Sequence, residues 1–107
     1  MPFNLTITEE AAKQFGFLSA RERRNLQSAI QSRLKDRPTR LSRAVKKLRP
    51  NSLAEFELRA GDLRALYNVE VEKNEVVLLI VGRKVGNTLV VGNEEFHGHQ
   101  ENPPKST

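Results

Sequence analysis

Four cations suited to holding a phosphate lie within one stretch of this 107-residue chain: Arg59, Arg64, Arg83 and Lys84, in Glu55 to Gly86, EFELRAGDLRALYNVEVEKNEVVLLIVGRKVG. A guanidinium stays protonated and grips two phosphate oxygens at once, whereas an ammonium acts as a point charge. Groups of this kind can stabilise the extra negative charge of a phosphate under attack. Arg59 and Arg64 also have a plainer use, as cross-strand ion partners of Glu57 or Glu70. The chain has no cysteine, which excludes a disulfide scaffold and a thiolate metal site. Nor does it contain a Gly-rich phosphate loop, a nucleophile elbow or a carboxylate pair. The two histidines, His97 and His99, make a poor metal site without a third ligand, so no metal and no cofactor is expected.

The elements that must position these cations are short strands. Phe56 and Leu58 alternate with Glu55, Glu57 and Arg59, and Ala60-Gly61-Asp62 supplies turn chemistry. Leu63, Ala65, Tyr67, Val69 and Val71 then face away from Arg64, Asn68, Glu70 and Glu72. Val76 to Val81 is apolar throughout, as an inner strand covered on both faces should be. Connections this short require antiparallel pairing, which puts Arg59, Arg64 and Arg83 on neighbouring strands. Thr88 to Val91 reads as one further strand, and Phe3, Leu5 and Ile7 as a short first one.

Upstream, Thr8 reads as the N-cap of a helix reaching Phe15. Ser19 with Glu22 forms a capping box for a second helix, to Lys35, with Leu26, Ile30 and Leu34 as its buried stripe. Pro38 to Leu53 is a connector, with a turn of helix expected at Leu41 to Leu48 and docking by Leu41, Val45 and Leu48. The fold expected is α+β: two N-terminal helices packed on a twisted antiparallel sheet of about four to five strands. One domain over residues 1–99 is followed by a tail, Gln100 to Thr107, read as disordered.

Charge is unevenly distributed. Residues 1–50 carry 12 Lys/Arg against 4 Asp/Glu, whereas residues 51–107 carry 6 against 9. Between Arg33 and Arg49 eight basic residues accompany one acid, Asp36. Such clustering attracts polyanions, and a nucleic acid or an acidic protein fits it equally. The first ten residues have no signal-peptide pattern and no apolar run is long enough to span a bilayer, so a soluble cytoplasmic protein is expected.

The run Leu58-Arg59-Ala60-Gly61-Asp62-Leu63-Arg64-Ala65-Leu66-Tyr67, followed by an apolar strand and Val81-Gly82-Arg83-Lys84, resembles the RelE/ParE superfamily of bacterial toxins. The resemblance covers about Leu41 to Lys84. It implies the toxin of a type II toxin–antitoxin pair, with an acidic antitoxin as partner. In the RelE branch the activity is metal-independent cleavage of mRNA on the ribosome, which inhibits translation; in the ParE branch it is binding to gyrase. A family member without toxicity, serving as a binding or regulatory module, is the third reading. No membrane and no small-molecule ligand is expected.

Carried over by the resemblance, Arg64, Arg83 and Lys84 are the catalytic candidates. Arg59, Arg43, Lys46, Lys47 and Arg49 are the candidates for binding RNA or a partner. Two departures stand out. Glu55 and Glu57 occupy positions where active RelE nucleases carry lysines, and no tyrosine follows Arg83-Lys84. Tyr67, the only tyrosine, reads as a core residue.

Overall fold

The computed structural model describes residues 2–92 and 94–96. The elements are β1 (Asn4–Ile7), α1 (Glu9–Phe15), α2 (Ala20–Leu34), β2 (Val45–Lys47), β3 (Phe56–Ala60), β4 (Leu63–Glu70), β5 (Glu75–Val85), β6 (Thr88–Val91) and β7 (Glu94–Phe96), with a 3-10 turn at Val71–Lys73. The tail after residue 99 and the two histidines lie outside the described residues. Among the described residues no helix is long and apolar enough to cross a membrane.

Both helices start where their caps dictate. The Thr8 hydroxyl accepts from the Ala11 amide at 3.2 Å, and Ser19 and Glu22 exchange the two hydrogen bonds of a capping box, at 2.9 and 3.1 Å. After α2 the chain turns at buried Pro38, whose carbonyl accepts a 2.6 Å hydrogen bond from the Tyr67 hydroxyl. Tyr67 is fully buried and stacked on Phe56, at 5.5 Å between ring centroids. Burial raises its pKa above the ordinary tyrosine value. Its reading as a core aromatic therefore holds.

The sheet runs β2-β3-β4-β5-β6-β7, and β1 also pairs with β5. Among the described residues it is mixed and has seven strands, where about four to five antiparallel ones were expected. The first correction is β1, which pairs in parallel with β5 from Asn4↔Glu75 to Ile7↔Leu78. Both helices and three strands separate the two in sequence, ample chain for the crossover that parallel pairing needs. The second correction is β2, found where a turn of helix was expected. The Ser42 hydroxyl accepts from the Ala44 and Val45 amides, closing a tight turn that leads into an edge strand. Val45 and the partly buried Leu48 dock as expected, but Leu41 is 57% exposed.

Leu26, Ile30 and Leu34 bury their stripe against Phe56, Leu58, Leu63, Tyr67 and Leu78, with Val76 and Val81. Ile80 belongs to a second cluster on the other face of the sheet, with Leu66, Leu89 and Ala54. A β-bulge is the reason: Tyr67 pairs with Leu78 but Leu66 pairs with Ile80, leaving Leu79 unpaired. One extra residue reverses the alternation of β5 beyond that point. The connector covers this second cluster through Leu48 and Leu53. Asn51 shapes the cover, accepting from the Leu53 and Ala54 amides and donating to the Arg49 and Ala54 carbonyls.

Ile30→Ala is expected to lower stability by about 2–5 kcal/mol in urea unfolding. Tyr67→Phe should lower it by about 1–3 kcal/mol, because the Pro38 carbonyl stays buried without its donor. Leu41→Ala, at an exposed site, should change stability by less than about 0.5 kcal/mol.

Candidate functional site

The sheet face turned away from the helices gathers four of the eight candidate cations, Arg59, Arg64, Lys84 and Lys46. One cross-strand row runs Lys46, Glu57, Leu66, Ile80, and the next runs Arg59, Arg64, Gly82. Lys84 lies two residues beyond Gly82 on the same face, opposite Leu89. The second apolar cluster forms the floor of this face. Gly82 cannot be replaced easily, because a Cβ there would sit 2.5 Å from the Val90 carbonyl oxygen. Bare backbone therefore lies beside Arg64 on the β5 side.

Each arginine of the face is held. Arg59 Nε donates to Glu57 Oε1 at 3.0 Å, and Glu57 is the one buried acid among the described residues, at 6% exposure. Arg64 Nη1 donates to the Gly61 and Leu63 carbonyls at 2.7 and 2.8 Å, which anchors the side chain to the β3–β4 turn. Gly61 makes that turn with φ at +61°, a conformation glycine adopts freely. Arg64 Nε is buried without a hydrogen-bond partner. Arg59 and Arg64 stand directly opposite one another, a like-charge pair that Glu57 and the turn carbonyls make tolerable.

Arg83 departs from expectation. It lies on the helix side, where its Nη2 donates to Glu22 Oε1 at 2.7 Å. The Ser19 amide, first, and then Arg83 hold the Glu22 carboxyl below its ordinary range. Their contribution to stability is present above the unfolded-state pKa and is lost as pH falls through the depressed folded value. Arg83 thus ties the end of β5 to the start of α2 and does not stand beside Arg64, which it was expected to support. Lys84, its neighbour, does share the face with Arg64.

The five binding candidates also divide. Arg59 and Lys46 share the face with Arg64, but Lys47 points to the helix side, its Nζ 5.9 Å from the Phe56 ring centroid. Arg43 and Arg49 are exposed on either side of β2. The two glutamates also separate. Glu57 lies under Arg59, while Glu55 bonds along β4, its amide donating to Asn68 Oδ1 and its carboxylate accepting weakly from the Val69 amide. Two features escaped sequence reasoning, the burial of Glu57 and the apolar floor. Leu66, which breaks the alternation of β4, was the signal for the floor.

Among the described residues no group of three or more His, Cys, Asp or Glu could hold a metal ion. What the face offers is fixed positive charge on a rigid sheet. It can bind successive phosphates and stabilise charge that develops on one of them.

The architecture defines a small α+β protein with a basic sheet face opposite a helical pair. Its fold is RelE-like. It superposes on a chain of the RelBE2 toxin–antitoxin complex from Mycobacterium tuberculosis with TM-score 0.68 and 26% identity, covering 78% of this chain and 93% of that one. For the archaeal RelE–RelB complex from Pyrococcus horikoshii the values are 0.65 and 19%, over 80% and 99%. For the intact E. coli RelBE complex they are 0.50 and 22%, over 78% and 98%. No family model and no curated protein matches the sequence. The resemblance read from Leu58 to Lys84 is thus supported independently by the fold.

Arg59→Ala should lower stability by about 1–3 kcal/mol, since it leaves a buried carboxylate without its donor. Adding Glu57→Leu should restore most of that loss. A double mutant as unstable as the single would show that Glu57 is satisfied by something other than Arg59.

Proposed function

We propose that this chain is the toxin of a type II toxin–antitoxin system, a metal-independent, ribosome-associated mRNA endoribonuclease that inhibits translation. The observation that carries the reading is the convergence of Arg59, Arg64 and Lys84 on one sheet face of a RelE-like fold, with Lys46 at its edge.

In such a reaction the ribose 2′-oxygen attacks the adjacent phosphorus and loses its proton. The bond from phosphorus to the 5′-oxygen breaks, that oxygen gains a proton, and a cyclic phosphate is left on the upstream fragment. Arg64 is the group assigned to the equatorial phosphate oxygens, because its position on the turn is fixed by two carbonyls. Lys84 is assigned to the leaving oxygen, where an ammonium can both neutralise charge and deliver a proton. Arg59, with Lys46 next to it at the sheet edge, is assigned to holding a flanking phosphate.

The partner proposed is an acidic antitoxin, in keeping with the toxin–antitoxin complexes that share the fold. Lys46 and Lys47 point to opposite faces of the edge strand, so charge reversal separates the two surfaces. The substitution that reaches the antitoxin should weaken binding more at low salt than at high salt.

One observation favours the second reading, a gyrase-binding toxin without nuclease chemistry. The buried Glu57 carboxylate pairs with Arg59 and offsets positive charge that the site would otherwise present.

The nuclease reading predicts that Arg64→Ala cuts the rate of RNA cleavage by about 10²–10³-fold and abolishes growth arrest. Arg64→Lys should recover only part of the activity, because an ammonium is not held in place by the Gly61 and Leu63 carbonyls as the planar guanidinium is. Arg83→Ala should lower thermal stability and leave cleavage by the folded protein near wild type. Full toxicity of Arg64→Ala would move the gyrase reading ahead.

A further inference from the structure

The arginines of this chain fall into two groups. Arg23, Arg59, Arg64 and Arg83 are all engaged internally, each donating to a carbonyl or carboxylate of the chain. Arg33, Arg37 and Arg40, like Arg21, Arg24, Arg43 and Arg49, make no side-chain hydrogen bond and no salt bridge among the described residues. Yet these three surround one concavity of about 430 Å³, together with Ser32 and Ser42. It lies on the helix side of the β2 edge, behind Val45, away from the face that carries Arg64.

The local structure explains why the three converge. Arg33 occupies the last turn of α2, and Arg37 follows four residues later, just past the helix end. Buried Pro38, held through its carbonyl by Tyr67, turns the chain there. The Arg40 amide then bonds to the Arg37 carbonyl at 3.2 Å, which keeps the connector folded back towards α2. Ser42 already accepts two backbone amides through its hydroxyl oxygen, so its proton remains free to donate. The pocket therefore combines three cationic forks and a hydroxyl donor.

We propose that this concavity is a second phosphate-binding site, one that holds a backbone phosphate of an RNA strand whose neighbouring segment lies on the sheet face. The strand as the source of that phosphate rests on the nuclease reading; the phosphate chemistry does not. Several guanidiniums around a recess suit a tetrahedral group whose oxygens can be shared among forks. A flat acidic peptide would meet charges on a rim instead. Asp36 also lines the recess, and the carbonyl end of α2 adds further negative potential. Both weaken attraction at long range, so the selectivity must come from direct guanidinium contacts. Only β2, Val45–Lys47, whose Lys46 points to the site face, separates the recess from that face. A strand crossing that edge would meet Lys46 and Arg43 on its way to the pocket.

The test uses the full chain and an RNA of about ten nucleotides with 2′-O-methyl riboses, which binds but cannot be cut, so its outcome is independent of whether the chain is a nuclease. Affinity is measured by fluorescence anisotropy over a range of salt concentrations. The variants are Arg37→Ala/Arg40→Ala and, as an equal-charge control, Arg21→Ala/Arg24→Ala on exposed α2 positions outside the pocket. The pocket variant should bind about 10–100-fold more weakly and lose about one unit of salt slope per phosphate contact removed. The control should change affinity by no more than about threefold. Equal losses in both variants would overturn the proposal, leaving a diffuse field and no site. Adenosine monophosphate and inorganic phosphate are the competing probes. If either protects the pocket as well as the RNA does at equal phosphate concentration, the strand is overturned as the source in favour of a free phosphate ester. If the RNA alone binds there, the strand is supported. Failure of Arg64→Ala to abolish toxicity would count against the nuclease and leave this binding result standing.

Discussion

Everything on the candidate face depends on one irregularity, the bulge opposite Leu66 and Tyr67. The apolar run of β5 has to be buried on both sides, and the bulge divides it between two cores. Val76, Leu78 and Val81 go to the helices, while Ile80 joins Leu66 and Leu89 on the other side. Without the extra residue, Arg83 would have shared a face with Arg64 and Lys84 would have pointed at α2. The bulge thus decides which of two adjacent cations joins the site and which braces the fold.

That division extends to the other charged groups. Glu22 and Arg83 join helix to sheet, Glu57 sits beneath Arg59, and turn carbonyls hold Arg64. A rigid sheet that presents cations already oriented needs little reorganisation when a phosphate arrives, and electrostatic catalysis relies on this property. The apolar floor contributes as well, since charges beside it are less screened than charges surrounded by water. The face is also self-limiting, because its single buried acid compensates one of its cations.

The helices were legible because their signals are local. Thr8, Ser19 and Glu22 cap, and Leu26, Ile30 and Leu34 repeat at helical spacing. The β3–β4 hairpin was legible for the same reason, through Gly61 and the alternation around it. Three features were not, each because it is decided at a distance. The parallel docking of β1 depends on free edge length along β5, the strand at Val45 on a turn closed by Ser42, and the bulge on the packing of both faces at once. Accordingly Arg59, Arg64 and Arg83 were grouped on neighbouring strands from sequence, whereas the bulge turns Arg83 to the helix side and brings Lys84 onto the face of Arg64.

The central claim is that the sheet face cleaves phosphodiester bonds without a metal. It is tested most directly by incubating purified chain with programmed ribosomes in excess chelator and analysing the ends of the mRNA. The account predicts discrete fragments whose upstream pieces end in a cyclic phosphate, at undiminished yield in chelator. Intact message under those conditions, with inhibition of DNA supercoiling by the same preparation, would contradict it.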